Sequence, residues 1–345
     1  MFFDEMTFEQ DINKARSLEK KGAILEAINI YKNLLKQFPK NLKLKKKMAE
    51  LSISVENNTS NPPKETIDFL IKLFNQKQFR SLIDRAQAFT RKYPYSFMIW
   101  NILGTANMSL GKIAEASRCF KKVTTINSKY AEGFNNLALV RQDEGKLNEA
   151  LRLSKKAIQL KPNSYIFFTN KGIILQKQGK LDESIEACKK ALSLNPKYVD
   201  AYFNLGVAFQ YQGKQEDAIH FYKKLLSFNQ NYTQAYSNLA AIFKEQGKLD
   251  ESIKSFKKAI SLKPDYSEAY NNLAIALKEQ GKLDEAIKSF KKALLIKPNY
   301  QEAYYNLSFT YNLRGDLKKG LESYEWNLKK DGFSTRVPRD HLIWD

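Results

Sequence analysis

SEAYNNLAIALKEQGKLDEAIKSFKKALLIKPNY, residues 267–300, is the stretch from which the fold can be read. Its first half carries apolar residues at Tyr270, Leu273, Ala274 and Leu277, the three-and-four spacing of one helical face. Gly281 stops that helix, because glycine leaves a helix through a left-handed conformation at no steric cost. Asp284 and Glu285 open a second helix, where their charge complements the partial positive charge of its N-terminus. Ala286 is the small residue needed where two helix backbones approach closely, and Phe290 with Ala293 continues the buried stripe. Pro298 ends the unit, since proline cannot continue a helix interior. The stretch predicts two helices joined by a tight turn.

The same frame recurs every 34 residues. Glycine returns at Gly111, Gly145, Gly179, Gly213, Gly247 and Gly315. The small residue returns as Ala116, Ala150, Ser184, Ala218 and Ser252, and the proline as Pro94, Pro162, Pro196 and Pro264. Eight contiguous units are predicted over residues 63–334 and one more over 8–41. Residues 42–51 read as a continuing helix, 52–62 as a polar, proline-ended linker, and 335–345 as a C-terminal tail. Departures are local. Ser128 and Gln230 stand for the proline, Lys77 for the turn glycine, Lys171 for an apolar residue and Gly320 for the small alanine. The unit over 63–96 fits the frame least well.

This succession of residues at these offsets resembles the tetratricopeptide repeat over most of the chain. The resemblance implies an all-α fold, an α-solenoid in which tandem helix pairs wind into a right-handed superhelix. It also implies that first helices line the concave side and second helices the convex side.

Six asparagines, Asn136, Asn170, Asn204, Asn238, Asn272 and Asn306, hold the sixth place of successive units and are therefore expected to line the peptide-binding groove. A primary amide offers a donor and an acceptor, the complement of a peptide group, so a row of them can hold an extended chain whatever its sequence. Units offset by about 10 Å would present one amide for roughly three peptide residues. A similar asparagine ladder is found in O-linked N-acetylglucosamine transferases, where it is associated with holding substrate polypeptides. Two other readings stand beside this one. Each amide could simply bond a neighbouring helix, and recent duplication would also copy it, since EQGKLDE occurs at both 245–251 and 279–285. Phe203, Tyr305, Gln176 and Gln210 vary between units and would set specificity.

The net charge of +20 invites an anionic partner, but only ten of the 57 basic residues are Arg, the side chain that grips phosphate bidentately. Nucleic acid is therefore disfavoured. Lysine pairs recur at Lys121–Lys122, Lys155–Lys156, Lys189–Lys190, Lys223–Lys224, Lys257–Lys258 and Lys291–Lys292, for which a solvated second-helix face is expected, with an electrostatic patch for acidic partners or nucleic acid as the alternative. No catalytic residues, metal ligands or cofactors are expected. His220 and His341 are far apart in sequence, the acid pairs sit at helix starts, and the glycines are single rather than clustered into a phosphate loop. Cys119 and Cys188 are too few for a disulfide framework and suit a reducing cytosol. No secretory signal and no membrane-spanning run is read, so a cytoplasmic location without membrane partners is expected.

At the C-terminal end, GDLKKGLESYEWNLKKDGF followed by STRVPRDHLIWD resembles the junction at which some bacterial tetratricopeptide-repeat proteins pass into a glycosyltransferase-like domain. Eleven residues after 334 cannot make that domain, so it is expected to be absent from this chain. Terminal repeats need a cap. The LIW tail would supply it, the chain would form a homodimer through the uncapped repeat, or the protein would be a shortened relative of an enzyme. The sequence thus predicts a noncatalytic scaffold that binds a protein or extended peptide. The alternative is the substrate-recognition part of a truncated or split protein O-glycosyltransferase.

Overall fold

The computed structural model describes residues 2–20, 24–59 and 62–330, and every regular element among them is an α-helix. Residues 334–345, on which the expected junction and tail cap depend in part, lie outside the described residues. Three helices come first: α1 (Phe2–Lys20), α2 (Ile24–Gln37) and α3 (Leu42–Thr59). Pairs then follow in the frame of the repeat. They are α4 (Lys64–Asn75) with α5 (Phe79–Lys92), α6 (Phe97–Ser109) with α7 (Ile113–Ile126), and α8 (Ala131–Asp143) with α9 (Leu147–Leu160). Next come α10 (Tyr165–Lys177) with α11 (Leu181–Leu194), α12 (Val199–Tyr211) with α13 (Gln215–Phe228), and α14 (Thr233–Glu245) with α15 (Leu249–Leu262). The series closes with α16 (Ser267–Glu279) paired with α17 (Leu283–Ile296), and α18 (Gln301–Leu313) paired with α19 (Leu317–Lys330).

One boundary differs from the sequence reading. Helix α3 does not stop at residue 51 but runs on to Thr59, through most of the stretch expected to be linker. The physical reason is visible in the sequence: SISVENNT contains no glycine or proline, and polarity alone does not end a helix.

The turn between paired helices behaves as its glycine requires. Gly281 has φ +79°, its N–H donates to Lys278 O at 2.9 Å, and the Lys282 N–H reaches back to Leu277 O at 2.9 Å. These two bonds satisfy carbonyls that the end of α16 would otherwise leave open. The same turn forms where the glycine is missing, because Lys77 adopts φ +56°. The close-approach position is equally literal: Ala116, Ala150, Ser184, Ala218, Ser252 and Ala286 are all wholly buried. Where that position is serine, Ser252 compensates for its hydroxyl by donating to Ala240 O at 2.8 Å.

The chain divides into two compact units, Met1–Ile174 and Leu175–Asp345. In the first, Tyr31, Leu34 and Leu44 centre one core under α1–α3, and Leu70, Leu82, Ile99 and Leu103 centre another between α4 and α7. In the second, Tyr222, Leu225 and Leu239 form one core, and Phe256, Leu273, Phe290 and Leu307 form the next. Within each unit the first helices of successive repeats touch, α4 with α6 and α6 with α8 in one, α14 with α16 and α16 with α18 in the other. This proximity brings the asparagine positions of neighbouring repeats within reach of one another.

Candidate functional site

All six asparagines are half-buried. Each precedes, by one residue, a position that is buried in five cases, at Leu137, Leu205, Leu239, Leu273 and Leu307. One helical step of about 100° from the core places the amide at its rim. Lys171, the exception at that core position, is half-buried.

In the first unit the amides join across repeats. Asn136 donates from Nδ2 to Asn101 Oδ1 at 3.0 Å, and Asn170 donates from Nδ2 to Asn135 Oδ1 at 2.9 Å. Each bond runs from the sixth place of one repeat to the fifth place of the repeat before it. The first pair leaves Asn101 Nδ2 as a donor and Asn136 Oδ1 as an acceptor, the two functions a peptide group requires. Asn101 and Asn135 were not singled out by the sequence reading. The signal was present as a second asparagine at a spacing of 35 residues, one more than the repeat.

In the second unit the same position is used differently in each repeat. Asn204 turns its Nδ2 back to the carbonyl of Asp200 at 2.7 Å. The Asp200 side chain meanwhile accepts from Tyr232 Oη at 3.3 Å, and burial, followed by this carboxylate, pushes the Tyr232 phenol up to about 12. Asn238 donates to Tyr222 Oη at 2.9 Å, and Tyr222 donates onward to Gln210 Oε1 at 3.2 Å. Tyr222 is wholly buried, and that burial raises its phenol far above the ordinary tyrosine range. Asn272 accepts from Asn271 Nδ2 at 3.4 Å, and the backbone carbonyl of Asn306 accepts from Thr310 at 2.7 Å. The structure therefore places all six in one frame position but gives them different bonds.

The variable positions also separate. Gln210 belongs to the Tyr222 network, and the Phe203 ring lies 5.2 Å from Tyr232 and 5.9 Å from Tyr222, partly inside the core. Tyr305 is 45% exposed and packs on Phe309 at 4.8 Å, so of these it has the most surface to offer a partner. All twelve residues of the lysine pairs are exposed. His220 is exposed and edge-on to Phe221 at 5.2 Å, while His341 lies outside the described residues. Among the described residues no group of three His, Cys, Asp or Glu side chains is placed to hold a metal ion, and no helix is long and apolar enough to cross a membrane.

The frame is also recognised in comparisons with known proteins. Residues 172–213 and 240–281 match the profile of a TPR repeat, residues 199–232 and 267–300 that of a tetratricopeptide repeat, and residues 99–130 and 131–164 a further tetratricopeptide repeat profile. Together these segments make up more than half of the chain. The chain is a tetratricopeptide repeat protein. Solved structures agree on the fold of this repeat protein. It is similar to a structure of the APC/C hetero-tetramer Cut9-Hcn1, with a TM-score of 0.61 and 17% identity over 86% of this chain and 54% of that one. It is also similar to PilF of Pseudomonas aeruginosa, with a TM-score of 0.52 and 18% identity over 59% of this chain and 93% of that one. The tetratricopeptide protein thus spans about half the length of the Cut9-Hcn1 chain it matches. No curated protein sequence matches it.

Proposed function

We propose that this protein is a noncatalytic scaffold whose first-helix faces bind an extended polypeptide, each unit with its own set of amides. The observation that carries the reading is the bond from Asn136 to Asn101, which uses one donor and one acceptor and leaves Asn101 Nδ2 and Asn136 Oδ1 as the other donor and acceptor of the pair. Such a pair complements a peptide group without regard to the side chain it bears. Half-burial of all six ladder residues supports the same reading, since a partly enclosed amide forms stronger hydrogen bonds than a fully solvated one. A net gain near 1 kcal/mol per hydrogen bond means that no single amide would hold a peptide, and several acting together would.

The test replaces Asn204, Asn238 and Asn272 together with Ala in one variant, and Asn101 with Asn136 in another, and measures capture from a library of extended peptides. Weaker capture with unchanged helical circular dichroism is expected for both. Unchanged affinity across the library in both variants would remove the ladder from the binding surface.

A further inference from the structure

The sixth position changes character along the first unit, from Asp68 in the repeat at 63–96 to Ile102 in the next, before the amides Asn136 and Asn170 begin. Where α4 and α6 meet, a cavity of about 160 Å³ opens, lined by Ile71, Phe74, Asn101, Ile102 and Thr105. It compares with the ~150 Å³ apolar cavity that accepts a benzene-sized molecule. Its wall is apolar in effect. The Thr105 hydroxyl is occupied by the carbonyl of Asn101 at 2.9 Å, which leaves its methyl group available, and Ile71 is 43% exposed at the mouth. The Asn101 Oδ1 is occupied by Asn136, so the amide that borders the cavity presents its Nδ2.

Asp68 lies on α4 one turn before Ile71, is exposed, and has no ion-pair partner among the described residues. A carboxylate at a ladder position only accepts, so unlike an amide it does not complement a peptide group; it fits a cation.

We infer that the first unit holds a subsite for one aliphatic side chain of an extended peptide, and that Asp68 selects a basic residue beside it. This inference rests on the groove reading above and gives it a substrate class. Side chains two residues apart on an extended strand point the same way, at about 7 Å, close to the roughly 5–6 Å between side chains three apart on one helix face, as Ile71 and Asp68 are on α4. The partner chemistry is therefore an extended segment with an aliphatic residue and a lysine or arginine two positions apart, its backbone met by Asn101 Nδ2 and Asn136 Oδ1.

The experiment titrates the full chain into fluorescein-labelled peptides of alternating serine and threonine that carry one Leu and one Lys two positions apart, and follows anisotropy. Leu→Ser in the peptide is expected to weaken binding about ten-fold or more, as loss of a filled apolar pocket does. Ile71→Ser, at an exposed position, is expected to reduce the preference for the Leu peptide by a similar factor. Asp68→Lys is expected to weaken the Lys peptide about five-fold and to reverse the preference when peptide Lys is replaced by Glu. Binding that is insensitive to Ile71→Ser and Asp68→Lys, but lost when Asn101 and Asn136 are replaced with Ala, would overturn the subsite and leave the groove reading standing. If no peptide of the set binds the wild-type chain, both are overturned.

Discussion

Asn136 donates its amide to Asn101 across the boundary between two repeats, at 3.0 Å, and so connects residues 35 apart in sequence through a pair of identical side chains. The bond ties two first helices together and leaves Asn101 Nδ2 and Asn136 Oδ1 as the donor and acceptor it does not use.

Replacing either partner with Ala is expected to destabilise the first unit by about 1 kcal/mol, the usual net value of such a bond. Both replacements together should cost less than the sum of the two. Urea midpoints followed through Trp100, a helix α6 residue beside Asn101, would measure this. Strict additivity would show that the two amides do not depend on one another.

Seven turn glycines have φ between +70° and +90°, and a Cβ added to any of them meets nothing within 4 Å. Gly281→Ala should therefore cost only the backbone strain of the left-handed region, about 1–2 kcal/mol. The reverse change should help where the frame is broken: Lys77→Gly, at φ +56°, is expected to stabilise its turn by about 1 kcal/mol. Thermal unfolding of the two variants beside the wild type would check both signs.

Arg141 is only 3% exposed, and its guanidinium lies 2.6 Å from Glu144, 2.9 Å from Glu149 and 2.9 Å from Ser117 Oγ. Arg141→Ala should cost about 3 kcal/mol, because it leaves a void at a buried position and removes the bonds to the half-buried Glu144 and Glu149 and to the buried Ser117. Arg141→Leu should cost much less, since Leu175 and Leu277 fill the same frame position elsewhere. The Glu144 carboxyl is held below its ordinary range, first by its bond from Lys146 and then by Arg141. Its contribution is therefore complete above the ordinary carboxylate range and is lost as pH falls through the lowered value. Glu144→Gln should flatten stability against pH on that acid limb.

Cys119 and Cys188 are buried, and burial pushes their thiols up to about 11 and about 12. Neither should react with a maleimide in the folded protein near neutral pH, and both should react in denaturant. Mass spectrometry of labelled protein would read the count. Rapid labelling of either thiol in native buffer would contradict its enclosure.

Much of this architecture was legible because it obeys a short-range rule. Gly281 needs only its own backbone angle, and Ala286 only the closeness of one neighbouring helix, so each can be read from one residue and its frame position. The asparagine bonds could not be read that way. The partner of Asn136 or Asn170 sits at the fifth position of the preceding repeat, which is Asn101 or Asn135 early in the chain but Thr169, Phe203 and Ser237 later, and before Asn306 it is Asn271, whose Nδ2 bonds Glu302 and Asn272 instead. A residue that looks identical in six repeats therefore has different neighbours. The boundary of α3 was obscured for another reason: a polar stretch without glycine or proline suits a solvated helix as well as a linker. Arg141 was hidden because it occupies a core position as a charge, and its partners Glu144 and Glu149 become evident only once the turn has folded.

The uncrowded glycine turns bear on how such a chain can change its size. Each turn closes on its own two hydrogen bonds, as Gly281 and Lys282 do, and asks nothing of a distant residue. Excision or copying of 34 residues between equivalent points would rejoin a helix to the same kind of turn and leave the seam chemically unchanged. Repeat number is then a quantity that a gene can alter in one recombination event, and the identical segments at 245–251 and 279–285 provide the homology for it.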